Sequence, residues 1–158
     1  MMIKRTAVAM TVVMGCLAVT PALEARQAAR TVTLTVTDPV GEKMSYSLKQ
    51  IVAKPGEKIK VRLVSIAQTP KIVMAHNFLL MKEGTDLKKF TDAAANARAT
   101  DYIPPAMKAS ILAQTTMVGP GESAEVTFTA PTKPGKYVFL CSRSEEHTSE
   151  LQSHVRIS

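Results

Sequence analysis

Pro134-Gly135-Lys136-Tyr137-Val138-Phe139-Leu140-Cys141-Ser142 reads as a turn that feeds a strand and ends in a cysteine. The Pro-Gly pair marks the turn. Tyr137 to Cys141 is dense in β-branched and aromatic residues, which fit a pleated, half-buried surface. Beyond Ser142 the pattern stops, because residues 143 to 158 are polar with no apolar period.

Upstream, the same strand grammar recurs. Thr31 to Thr37 alternates strictly, with Val32, Leu34 and Val36 on one face. Pro55-Gly56-Glu57 separates two further strands, Leu48–Val52 and Ile59–Ser65. In the second of these, Ile59, Val61 and Leu63 share a face while Lys58, Lys60 and Arg62 turn to water. Residues 72 to 80 form an apolar run broken only by His76 and Asn77, and read as one strand. Val126 and Phe128 alternate with Glu125, Thr127 and Thr129 in the strand before the opening stretch. The segment from Gly84 to Ala113 is different. Thr85 or Asp86 caps a helix carrying Leu87, Phe90, Ala93, Ala94 and Ala97, and Pro105 opens a second short helix through Ile111. Short strands with turn signals around one helical insertion predict an all-β antiparallel sandwich with a helical flap.

Both ends fall outside that domain. Residues 1–25 carry Lys4 and Arg5, an apolar run from Ala7 to Val19, Pro21 and a small-residue region ending at Ala25. This is the layout of a secretory signal peptide, and the run is shorter than the roughly 20 residues a bilayer span needs. Export, to a bacterial periplasm or beyond, is therefore expected. Cys16 in Val13-Met14-Gly15-Cys16 leaves lipid anchoring open beside ordinary cleavage near Ala25. At the other end, Arg143 to Ser153 looks like an in-frame translation of a common sequencing-library adapter. Residues 143–158 are expected to be an artefactual, disordered tail, with the last strand of the sandwich missing. A genuine disordered tail is the alternative. The domain so bounded is 26–142.

That span keeps 16 basic and 9 acidic residues. Its lysines are spread out rather than clustered with aromatics, which speaks against nucleic acid and for a solvated face or steering toward an acidic partner. Tryptophan is absent, so Val, Ile, Leu and Met must fill the core. Without the signal segment, Cys141 is the only cysteine. A lone exported cysteine pairs between chains, reacts, binds metal, or packs as a small hydrophobe. His76 and Cys141 both sit near ends of apolar strands, where the loops of a sandwich gather. A type 1 copper site takes one thiolate and two imidazoles, with a weak axial thioether or carbonyl. One of each is by itself a weak signal.

The surrounding words strengthen it. Met74-Ala75-His76-Asn77-Phe78, Gly119-Pro120-Gly121-Glu122 with Val126-Thr127-Phe128, and the opening stretch through Cys141-Ser142 together resemble the azurin branch of the cupredoxins. The helical insertion with Asp101-Tyr102-Ile103-Pro104-Pro105 falls where azurins carry their flap. The resemblance spans roughly residues 31 to 142 and implies a Greek-key sandwich holding one copper ion. By position, it implies His76 as an imidazole ligand and Cys141 as the thiolate. It places Asn77 outside them, joining the two ligand loops, and the carbonyl of Ala75 near the metal as a weak axial group. Azurins follow their cysteine with Phe-Pro-Gly-His, then a methionine and a last strand; here Arg143 follows Ser142. His147 lacks the Pro-Gly turn that would aim it, and His154 lies further out, so neither is expected to bind.

The implied function is electron transfer by a Cu(II)/Cu(I) couple between redox partner proteins, without catalysis, and with the copper site incomplete in this chain. The alternative is a periplasmic copper-binding or storage module without redox turnover. Met81 and Met117 are candidates for an apolar docking face, while Met74, Met81, Met107 and Met117 together read as core filling rather than copper capture. A binuclear copper site needs a second nearby cysteine, and copper oxidases need His-x-His pairs. The sequence has neither.

Overall fold

The computed structural model describes residues 28–38, 46–143 and 153–158. In chain order the strands begin with β1 (Arg30–Val36), β2 (Gln50–Ala53), β3 (Lys58–Ser65) and β4 (Leu79–Met81). They continue with β5 (Ile111–Gln114), β6 (Ser123–Thr129), β7 (Gly135–Leu140) and β8 (Ser153–Ile157). Strict alternation decides the first sheet. Val32, Leu34 and Val36 of β1 point inward and meet Val61, Leu63 and Ser65 of β3 in parallel register. β6 lines the other side of β3, antiparallel, with Val126 opposite Val61. The second sheet has the order β2-β8-β7-β4-β5.

The two inner faces enclose one core, centred on Leu34, Ile59, Val61, Leu63, Phe78 and Phe139. With no tryptophan available, five rings supply the bulk: Tyr46, Phe78, Phe128, Tyr137 and Phe139. Phe139 lies between Phe78 and Tyr46, with centroids 5.2 and 5.4 Å away, distances at which tilted rings attract. β4 is buried on both faces: Leu80 joins the main core, while Leu79 and Met81 pack under the flap with Phe90, Ala94 and Ile103. The flap helix α1 (Leu87–Ala95) starts at Asp86, whose carboxylate accepts the Lys89 N–H at 3.0 Å. That bond satisfies one of the N–H groups a helix start leaves open. Pro105 opens a 3-10 turn through Ser110. Among the described residues, no helix is long and apolar enough to cross a membrane.

Four expectations are corrected here. The sandwich is mixed rather than antiparallel, because β1 runs parallel to β3 and β2 parallel to β8. The run from 72 to 80 is not one strand. The Pro70 carbonyl accepts N–H groups from Val73 and Met74, which makes a turn, and Ile72 and Val73 stand 77% and 59% exposed. Apolar composition alone does not distinguish such a loop from a strand. Met81 is fully buried under the flap and forms no docking face. The closing strand, expected to be missing, is present as β8, so residues 153–157 are not a disordered tail. Ser153, Val155 and Ile157 face the core while His154 and Arg156 do not. Two aliphatic residues behind a polar run gave too little periodicity to reveal it.

Candidate metal centre

Cys141 ends β7 and is fully buried. His76 is also buried, in the loop before β4, and is pinned by a two-residue bridge. Its N–H donates to the Val118 carbonyl at 2.9 Å, and the Val118 N–H donates back at 2.7 Å. The two loops come together through Asn77. Its amide Nδ2 donates to Ser142 Oγ at 2.9 Å, and its Oδ1 accepts the Ser142 N–H at 2.9 Å. The Cys141 sulfur accepts the backbone N–H groups of Asn77 and Arg143. The Tyr46 hydroxyl, from a segment ahead of β2, donates to the Asn77 carbonyl. Asn77 thus ties the loop that carries His76 to the end of β7.

Asn77→Ala removes both side-chain contacts and leaves a buried Ser142 N–H and hydroxyl unsatisfied. We expect a loss of about 2–4 kcal/mol, read as a lowered denaturant midpoint at unchanged slope.

Further contacts set the His76 loop. Glu122 accepts the Gly119 N–H at 2.9 Å and Lys71 Nζ at 2.6 Å. Gly119 lies so close to Lys71 that an added Cβ would stand 2.5 Å from Lys71 Cβ. Gly119→Ala therefore forces the loop to move, at a cost of about 1–3 kcal/mol. The check is a melting curve together with hydrogen exchange at the His76 N–H, which should lose protection. Asp38 accepts N–H groups from Gln68 and Thr69 at 2.6 and 3.1 Å, and these donors hold its carboxyl below the usual range.

The electrostatics suit a metal-free pair of soft and borderline donors. Burial pushes the Cys141 thiol above its ordinary pKa, and the two N–H donors offset this only in part. Burial lowers the pKa of His76 despite the opposing charge of Asp38, and Arg143 lowers it further. At neutral pH the folded chain therefore holds His76 as a neutral imidazole and Cys141 as a neutral thiol. Asp101 and Tyr102 both adopt left-handed φ, 52° and 60°. They turn the flap back until the Tyr102 ring lies 4.7 Å beneath the Arg143 guanidinium, which also donates to the Val73 carbonyl at 2.7 Å.

Other sequence candidates stay apart. His154 lies on the non-core side of β8 opposite Val138, so it does not join the pair. His147 lies outside the described residues. Ala75 is buried next to His76. Among the described residues, no three His, Cys, Asp or Glu side chains gather at metal distance. His76 and Cys141 are the two candidate donors here, and the other described imidazole, His154, lies away from them on β8. Ser142, Tyr46 and Val118 complete the frame around the pair. Only Ser142 lay in a quoted motif, and no sequence signal pointed to the other two.

Residues 32–158 match the family described as copper binding proteins, plastocyanin/azurin family. The azurin of Achromobacter denitrificans is 34% identical over 102 residues, which is 63% of this chain and 68% of that protein. Auracyanin-A of Chloroflexus aurantiacus is 29% identical over 104 residues, 65% of this chain but only 60% of that protein. The chain superposes on dithionite-reduced auracyanin from Roseiflexus castenholzii with a TM-score of 0.65 at 31% identity, covering 83% of this chain and 98% of the other.

Proposed function

The chain belongs to the plastocyanin/azurin family of copper binding proteins, and from that premise we propose that it is the body of a one-electron carrier, with His76 and Cys141 as copper ligands. The observation that carries this reading is the reciprocal Asn77–Ser142 pairing, which fixes the imidazole loop beside the thiol before any metal arrives. Copper, when bound, supplies a Cu(II)/Cu(I) couple.

The remaining work belongs to the chain. His76 is already neutral, so its ring can bind without first losing a proton. Cys141 must shed a proton to become a ligand, and the N–H groups of Asn77 and Arg143 are aimed at the sulfur that then carries the charge. Val118 and Asn77 oppose movement of either loop, which keeps one arrangement for both oxidation states. Outer contacts of this kind orient ligands and tune the metal. The carbonyl of Ala75, buried next to His76, would be a further weak donor to the copper. The solved auracyanin is a dithionite-reduced form, which supports redox work over storage. Met81 and Met107 pack in the flap cluster, away from any capture role. The protein so read passes electrons between partner proteins and performs no catalysis.

Residues 1–25 would direct export, placing the carrier in a bacterial periplasm, with lipidation at Cys16 as a second route of retention. The adapter-like residues 143–152 would stand in place of the family's own ligand loop ahead of β8, so the copper site is read as incomplete in this chain. The test is a copper titration of the chain as given and of one carrying the family's closing ligands.

A further inference from the structure

We propose that the end of the sandwich farthest from His76 and Cys141 is a docking surface for anionic phospholipid headgroups. The same word occurs twice at that end. Lys54-Pro55-Gly56-Glu57-Lys58 joins β2 to β3, and Lys133-Pro134-Gly135-Lys136 leads into β7. Strand register places both there, because Ala53 and Gly135 each sit opposite Ile157, and Lys58 sits opposite Thr129. The Gly56 N–H donates to the Ala130 carbonyl at 3.1 Å, and the Ala130 N–H to Glu57 at 2.8 Å, which fastens the first turn to the segment that leads to the second. Gly56 has φ of 73°, a left-handed value that glycine takes without strain, and each proline fixes its own φ. The lysines are thus displayed from stiff turns.

The charge is one-sided. Arg30, Lys54, Lys58, Lys133, Lys136 and Arg156 are all exposed at this end, against the carboxylates of Glu57, Glu83 and the terminal Ser158. Glu57 pairs with Arg30, and Glu83 with Lys133 at 2.7 Å. Lys54, Lys58 and Lys136 have no ion pair among the described residues. Three net positive charges on adjacent turns fit a sheet of phosphates better than a single anion, which would need converging donors.

Chain direction supplies a second argument. β1 begins at Arg30, so the preceding segment enters the domain at this same end. Upstream lie the apolar run Ala7 to Val19 and Cys16. Residues 20 to 30 reach at most about 40 Å fully extended. Lipid anchoring at Cys16, the alternative to cleavage near Ala25, would bring the lysine turns to the bilayer. β7 runs from Lys136 toward Cys141, so docking this way leaves the candidate ligands facing outward.

The experiment uses the chain as exported from a bacterial host, with whatever processing it has undergone. Vesicles of mixed phosphatidylglycerol and phosphatidylcholine are compared with phosphatidylcholine alone by co-sedimentation, at low and high salt. Binding is expected on the anionic vesicles and should weaken with salt. Lys54→Gln/Lys58→Gln/Lys136→Gln should lower partition roughly 100-fold, since each cation near a surface contributes about 1 kcal/mol. The matched control Lys49→Gln/Lys89→Gln/Lys108→Gln, with Lys49 at the opposite end of β2 and the other two in the flap, should stay within about threefold. Equal losses in the two variants would show that only net charge matters, and would overturn the proposal. So would equal binding to both vesicle types, or capture by an acidic protein without any vesicle binding. Circular dichroism of each variant confirms that the sandwich is intact.

Discussion

Val155→Asp abolishes cooperative folding of this chain, or lowers its stability by at least about 4 kcal/mol, whereas Arg156→Asp, one residue away, changes it by less than about 0.5 kcal/mol. The contrast follows from the alternation of β8. Val155 is fully buried between Ile51 of β2 and Tyr137 of β7, while Arg156 lies exposed between Val52 and Lys136. A carboxylate at 155 would enter the core with no partner. Single domains hold only about 5–15 kcal/mol in total, so a loss of this size removes most of the margin.

The position of β8 makes the effect larger than one side chain suggests. In its sheet β2 pairs with β8 alone, and β8 in turn lies between β2 and β7. Losing β8 frees β2, opens one edge of β7 and uncovers Tyr137 and Phe139. Unpaired edges of this kind also invite pairing between chains. Urea melts of the two variants, followed by circular dichroism, decide the matter. If both behave like the parent chain, residues 153–157 do not hold the sandwich and the closing strand is wrongly assigned. The same outcome would favour the disordered-tail expectation drawn from the adapter-like sequence.

How far the sequence discloses the fold varies with the physics of each element. β1, β3 and β6 were legible because one side of each faces water, so their composition alternates by necessity. The flap helix was legible because Asp86, Leu87, Phe90 and Ala94 carry both cap and stripe. β4 was not, since a strand buried on both faces has no alternation to read, and its apolar neighbours Ile72 and Val73 belong to an exposed turn. The same ambiguity misled the choice of Met81 as a surface residue.

At the candidate site, His76 and Cys141 stand out by residue type and by their place near the ends of apolar strands, whereas Asn77 is legible only through the resemblance. Their mutual placement was beyond the sequence, because Asn77 and Ser142 lie 65 residues apart and meet only through pairing of β4 with β7. Tyr46 donates to Asn77 from an equally remote position. Contacts of that range depend on topology, and topology depends on strands whose faces were partly hidden.

Copper provides the other large effect. Cu(II) added to the chain as given should produce no intense thiolate-to-copper band in the visible range. The described residues offer one thiol and one imidazole, whereas the intense band requires a thiolate held in a complete trigonal set. Replacing residues 143–152 with a segment that begins Phe-Pro-Gly-His and carries a methionine shortly after it, while keeping β8, should generate the band with one copper per chain. Adding Cys141→Ser to that graft should abolish it, and dithionite should bleach it reversibly. The Pro-Gly turn matters because it would aim the new imidazole, which a bare histidine at the same distance would not achieve. Two results would sink this account. A graft that folds but stays colourless would remove His76 and Cys141 from the metal centre. A blue band in the ungrafted chain, lost on His147→Ala, would mean that the segment after Ser142 already supplies the missing donor.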